Sequence, residues 1–185
     1  ACRPGRRSRP LGACAVQDGD GLRLLHWPLV VATAVSEFCR RRDEPGLIYH
    51  ALGVNGAATK SFLRSENFIE QGAYVAPDLV IFGLGINDAY KPDSDWHPEE
   101  YKARYDTLVD WFRTINPDCA FIFMTNNDSY YKRRTPNKHA LDVVRVMEEL
   151  SKEHDAALWD LFGVMGGLNS IVLWEEQRLA KSAKI

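Results

Sequence analysis

Four short and almost wholly apolar runs, residues 47–52, 79–84, 120–125 and 156–159, alternate with longer polar stretches that read as helices. A run apolar at every position has to be covered on both faces. Parallel strands also need long crossovers between them. The alternation therefore predicts an α/β fold: a parallel sheet between two helical layers, a three-layer α/β/α sandwich. The clearest crossover is residues 99–115, where Tyr101, Tyr105, Leu108, Phe112 and Ile115 recur at spacings of four and three and so share one helical face. Pro98 suits a first-turn position, and Asn116-Pro117 ends the helix. Residues 139–154 carry a second stripe, Val143, Met147 and Leu150. Residues 58–71 and 170–180 read as further helices, and residues 86–98 and 126–138 as loops.

Right-handed crossovers bring the C-terminal ends of parallel strands to one edge, and open α/β sheets place their sites there. Asn55-Gly56, Asn87-Asp88 and Asn126-Asn127 each follow a strand end, so they should gather at that edge. Gly56 lets the backbone approach a ligand and turn its N–H inward. Asn87 carries a side-chain amide donor, and Asp88 can order its loop by accepting nearby N–H groups. Each of these residues, taken singly, is also ordinary turn chemistry. Taken together, two donor-bearing turns at neighbouring strand ends supply what an oxyanion hole needs: fixed N–H groups aimed at one oxygen. Asn55, Asp88 and Tyr130 are candidate substrate contacts. Tyr130 opens the segment Tyr130-Tyr131-Lys132-Arg133-Arg134, which reads as an exposed basic loop that could border the cleft.

The chain has 185 residues, enough for one domain. Its net charge of −2 does not create the basic field that nucleic-acid binding requires. The charge is uneven, however. Residues 1–42 hold eight arginines, no lysine and three acids, close to +5, which leaves −7 for the rest. Residues 1–45 thus form an atypical Arg/Pro-rich segment: a disordered arm, a stretch not native to the domain, or a targeting segment. Residues 46–185 form the domain proper. The apolar run at 27–35 contains Pro28 and is too short to span a bilayer. Cys2, Cys14, Cys39 and Cys119 form no Cys-x-x-Cys pair, so no zinc ribbon is expected. Asp93, Asp95 and His97 read as a solvated loop rather than a metal site. None of His26, His50, His97, His139 and His154 is placed as a catalytic base.

Gly53-x-Asn55-Gly56 and Gly85-x-Asn87-Asp88, the latter led in by Pro77-Asp78-Leu79-Val80, resemble the second and third blocks of the SGNH (GDSL-like) hydrolases. Trp159-Asp160-Leu161-Phe162, Met165-Gly166-Gly167 and Trp174 are similar to the branch of carbohydrate and peptidoglycan O-acetylesterases. The resemblance implies a three-layer α/β/α fold and hydrolysis of a small-molecule or polysaccharide ester by a serine nucleophile with a histidine base. It implies Gly56 and Asn87 as oxyanion donors, no cofactor and no metal, and a location at the cell envelope or outside the cell. It specifies no oligomeric state.

Two family blocks are missing. No Gly-Asp-Ser occurs; Asp18-Gly19-Asp20-Gly21 comes nearest and lacks a serine, and neither Ser8 nor Ser36 has the right context. No Asp-x-x-His occurs either. The expectation is a catalytically incomplete stretch of a serine esterase, with a non-catalytic carbohydrate-binding or decayed hydrolase module as the alternative. A dinucleotide-binding domain, suggested by Gly83-Leu84-Gly85, lacks the third glycine and a following helix.

Overall fold

The structure is a computed structural model that describes residues 29–35, of which only the backbone, and 46–180. Two sheets are present among these residues. The larger has five strands in the order β2 (Gly46–Ala51), β1 (Leu29–Val35), β3 (Leu79–Phe82), β4 (Ala120–Met124) and β7 (Ala157–Trp159). A two-stranded hairpin, β5 (Tyr130–Tyr131) with β6 (Thr135–Pro136), forms the other.

β3, β4 and β7 pair in parallel, with Val80 opposite Phe121 and Phe123 opposite Leu158. β1 lies antiparallel to both of its neighbours, so β2 runs in the same direction as β3. The four strands expected from the apolar runs thus share one direction, and the sheet departs from fully parallel at β1 alone. That strand comes from the segment set apart as atypical. The rest of that segment, residues 1–28 and 36–45, lies outside the described residues.

One face of the sheet meets α4 (Pro98–Ile115) and α5 (His139–Glu153). Val80 and Phe82 of β3 and Phe121 and Phe123 of β4 meet Tyr101, Tyr105, Leu108 and Phe112 of α4 and Val143, Met147 and Leu150 of α5, all buried. Phe82 stacks on Phe121 and Phe123 and meets Tyr105 and Phe112 edge-on, at centroid distances of 5.3–5.9 Å. Burying each such side chain is worth about 1.5–3 kcal/mol. Both helical stripes read from spacing therefore face the core, with Ile115 at its margin.

The remaining helices are short. The stretch expected as one helix over 58–71 divides into α1 (Thr59–Phe62) and α2 (Phe68–Gly72), interrupted by turns at Ser65 and Asn67, residues whose side chains favour non-helical backbone. The loop expected over 86–98 contains α3 (Ile86–Ala89) and a 3₁₀ turn, Asp93–Asp95. The stretch read as helical over 170–180 is α7 (Ser170–Glu176). α6 (Leu161–Met165) was not anticipated; Asp160 caps it by accepting the Gly163 N–H at 3.0 Å, and Gly166, at φ +106°, ends it.

Candidate active site

The first donor loop follows β2. Ala57 N–H closes a turn onto the Val54 carbonyl at 3.0 Å. Gly56 has φ +79°, the value a type II turn needs at its third position. A side chain there would meet no atom within 4 Å, so backbone conformation, not crowding, is what calls for glycine. Val54, Asn55 and Gly56 are all exposed.

The second donor loop follows β3. The hydroxyls of Tyr101 and Tyr105 both donate to the Leu84 carbonyl at 2.8 Å and fix the strand end. Both rings are fully buried, and burial raises both phenol pKa values well above the usual range, so the hydroxyls keep their protons. The next residue, Gly85, has φ +143°, and a Cβ there would overlap the Tyr101 hydroxyl and the Asn126 amide. Glycine lets the chain pass this crowded point and begin α3, which carries Asn87 and Asp88.

Those two residues join the loops. The Asn87 side-chain amide donates to the Ala57 carbonyl at 2.8 Å, one residue past Gly56. Asp88 is 1% exposed. Its carboxylate accepts the Thr59 N–H at 2.9 Å and the Thr59 hydroxyl at 2.6 Å, and the Arg104 guanidinium lies 3.5 Å away. Asp88 therefore does for the start of α1, from 29 residues away, what a capping side chain does locally. Its acceptors were expected to serve neighbouring N–H groups. The structure turns them inward onto the first loop, so Asp88 holds the site together and offers substrate no exposed oxygen.

The third strand end lies alongside. Thr125 donates to Asp160 at 2.9 Å and accepts the Phe162 N–H at 2.8 Å. Asn126 is buried against Gly85, and Asn127 donates to the Asp128 carbonyl at 2.9 Å. Tyr130 is half-exposed, and its hydroxyl donates to Asn169 at 2.6 Å. The structure thus brings together Gly56, Asn87 and Asp88, with Asn126 beside them, leaves Asn55 facing solvent, and places Tyr130 at the base of the hairpin.

Sequence reasoning missed Thr59 and Asp128. Thr59 gives no signal, because its partner lies far along the chain. Asp128 is fully buried; one carboxylate oxygen accepts the Ile171 N–H at 3.0 Å, and the other has no partner among the described residues. Burial pushes the Asp128 pKa up, opposed by the N–H groups of Ile171, Ser129 and Asn169.

A cleft of about 300 Å³ opens beside the first loop, lined among others by His50, Gly53, Phe62, Phe68 and Phe112. Burial lowers the His50 pKa. His139 faces the Ala89 carbonyl at 3.0 Å and Asp93 at 2.9 Å, and His154 faces Asp106 at 2.8 Å. Among the described residues no serine hydroxyl bonds a histidine, no three potential ligand side chains cluster as a metal site, and no helix is long and apolar enough to cross a membrane.

The loops after β2, β3 and β4 gather at the strand ends of a largely parallel sheet, with α4 and α5 packed on it, where open α/β sheets place their sites. The chain belongs to the GDSL-like Lipase/Acylhydrolase family, whose model matches residues 27–178. That match takes in β1 as well as residues 46–178. The solved structure "Peptidoglycan O-acetylesterase in action, 5 min" superposes with a TM-score of 0.65 at 19% identity, over 76% of this chain and 44% of that one. The likeness shows the shared three-layer α/β/α fold, over less than half the length of that protein. No curated protein matches the sequence significantly.

Proposed function

We propose that this domain stabilises the oxyanion in hydrolysis of an acyl ester of carbohydrate, most simply an O-acetyl ester. The donors are the Gly56 N–H and the Asn87 side-chain amide. In this reading a serine hydroxyl attacks the ester carbonyl while a histidine takes its proton, and the carbonyl oxygen gains the charge that the donors meet. When the tetrahedral intermediate collapses, the sugar hydroxyl leaves with that proton and the acyl group stays on the serine until water releases it.

The observation that carries the reading is the 2.8 Å bond from Asn87 to the Ala57 carbonyl. It holds one N–H of the amide and sets the side chain beside Gly56. An amide nitrogen has a second N–H, which remains for an oxyanion. Asp88, by gripping Thr59, keeps the two loops in register.

The second reading is a carbohydrate-binding or decayed hydrolase module. It is favoured by one specific observation: neither a Gly-Asp-Ser nor an Asp-x-x-His string occurs in the 185 residues. Acetate release from an O-acetylated glycan, by a form of the protein that also carries a serine nucleophile and a histidine base, separates the two. Release that falls by roughly 10²–10³ in turnover in the Asn87→Ala variant supports the oxyanion role, since that is the usual loss for one donor. Release unchanged by the substitution removes Asn87 from the mechanism. Glycan binding without acetate release puts the binding reading in its place.

A further inference from the structure

Residues 130–136 read from the sequence as a basic loop, yet they fold as a pinned hairpin. Arg134 N–H closes the turn onto the Tyr131 carbonyl at 3.1 Å, and Tyr131 pairs with Thr135. The two central residues, Lys132 and Arg133, have φ +49° and +60°. Two successive positive φ angles are the pattern of a type I′ turn, which ordinarily takes Asn-Gly. Two long cationic side chains hold a conformation that L residues rarely adopt, and strain of this kind clusters at functional sites. Lys132, Arg133 and Arg134 are exposed, and none forms an ion pair among the described residues. They form a compact positive tip on a chain that, from residue 43 on, carries a net charge of −7.

The hairpin is fastened to the loop that bears Asn87. The Lys132 N–H donates to the Tyr90 hydroxyl at 2.8 Å, three residues from Asn87. The Tyr90 and Tyr131 rings meet at 5.0 Å, with the Lys132 ammonium 5.1 Å from the centre of the Tyr131 ring. At the hairpin base, Asn137 donates to the Ala89 carbonyl at 3.2 Å. Aromatic faces and cations therefore project together from the rim next to the donor loops.

We propose that this hairpin is the polymer-binding subsite for an anionic glycan, a chain of sugars bearing carboxylate groups. Arg133, Arg134 and Lys132 take the carboxylates, and the exposed Tyr90 and half-exposed Tyr131 rings support the apolar faces of the sugars. Guanidinium groups suit carboxylates because their paired N–H donors match two oxygens. The proposal rests on the carbohydrate-ester reading of the neighbouring donors, and it names the class of glycan.

The test measures binding without turnover, so it does not depend on hydrolysis. Oligogalacturonate, a carboxylated sugar oligomer free of acyl esters, is titrated into the protein by calorimetry, beside a neutral galactose oligomer. Lys132→Asn with Arg133→Gly installs the sequence that a type I′ turn prefers, so the variant keeps the hairpin and its thermal stability holds or rises. The expected result is binding of oligogalacturonate that salt weakens, that the double variant weakens by about tenfold or more, and that the neutral oligomer does not reproduce. Asn87→Ala should bind oligogalacturonate as the parent does, because Asn87 lies outside the hairpin. No binding of oligogalacturonate by the parent protein overturns the subsite, as does equal binding by the stable double variant. Competition by a uridine oligonucleotide as effective as the sugar acid would also overturn it, giving the tip to nucleic acid. None of these outcomes touches the oxyanion reading, which acetate release decides separately.

Discussion

Around Phe82 the structure is held by many overlapping contacts; around Asn87 it is held by a few that have no substitute. Phe82 meets four aromatic rings from two other elements, α4 and β4, so no single neighbour fixes its place. Asn87 and Asp88 hold the first loop through one carbonyl and one threonine. The core is redundant because apolar burial has no direction and sums over area. The strand-end loops are not, because a hydrogen bond needs one partner at one distance and angle. Loops at an exposed sheet edge cannot be held under apolar weight. They are held from behind, by a buried carboxylate and two buried tyrosine hydroxyls.

The largest effect separating the two regions should come from Phe82→Ala. Truncating a fully buried phenylalanine costs about 3–5 kcal/mol, whereas Phe82→Leu should cost clearly less because neighbours can close on it. Denaturant unfolding of both variants checks this. Equal losses would mean that the core around Phe82 is as position-specific as the site, and the contrast would fail.

Asp88→Asn should come next. The amide keeps one acceptor for Thr59 but loses the charge that faces Arg104 and one of the two acceptor oxygens. Hydrogen bonds to a charged group are worth about 1.5–3 kcal/mol, and a buried, partly unpaired group adds to the loss. Asp88→Glu should not rescue it, since the longer side chain cannot place both oxygens on the same threonine. Thermal unfolding measures the cost. Stability unchanged in Asp88→Asn would show that the loops are held by something other than this polar staple.

The same contrast governs how much could be read from the sequence. α4 was legible because Tyr101, Tyr105, Leu108 and Phe112 repeat a period, and a period survives without knowledge of partners. The four co-directional strands were legible for a similar reason. The break between α1 and α2 was not, because Ser65 and Asn67 only weakly oppose a helix whose apolar spacing continues. Nor was the orientation of β1: an apolar run such as residues 29–35 does not specify strand direction. At the site, Gly56 and Asn87 stood out by position after strand ends. Asp88 was noticed, but its partner could not be, since nothing local in Thr59 points to a residue 29 positions away. The hairpin was misread as a plain basic loop because Lys-Arg is not the sequence a type I′ turn advertises.

Asp128 gives the smallest and most discriminating effect, because there a buried polar group lacks the full set of partners that Asp88 has. One of its oxygens serves Ile171 N–H and the other serves none among the described residues. Burial raises its pKa above the ordinary carboxylate value, so the folded chain holds this proton more tightly than the unfolded chain does. The sign of the linkage follows. Stability from this group is fully present below the unfolded carboxylate pKa and is lost as pH rises through the folded value. Asp128→Asn removes the charge and keeps a carbonyl oxygen for Ile171 N–H. The variant should match the parent or slightly exceed it in unfolding free energy at pH 8, and that advantage should shrink toward pH 4. Unfolding curves at the two pH values read the difference. A variant that is less stable than the parent at pH 8, and no worse at pH 4, would mean that the N–H groups of Ser129, Asn169 and Ile171 outweigh burial and that Asp128 works as a charged cap on α7, as Asp88 does on α1.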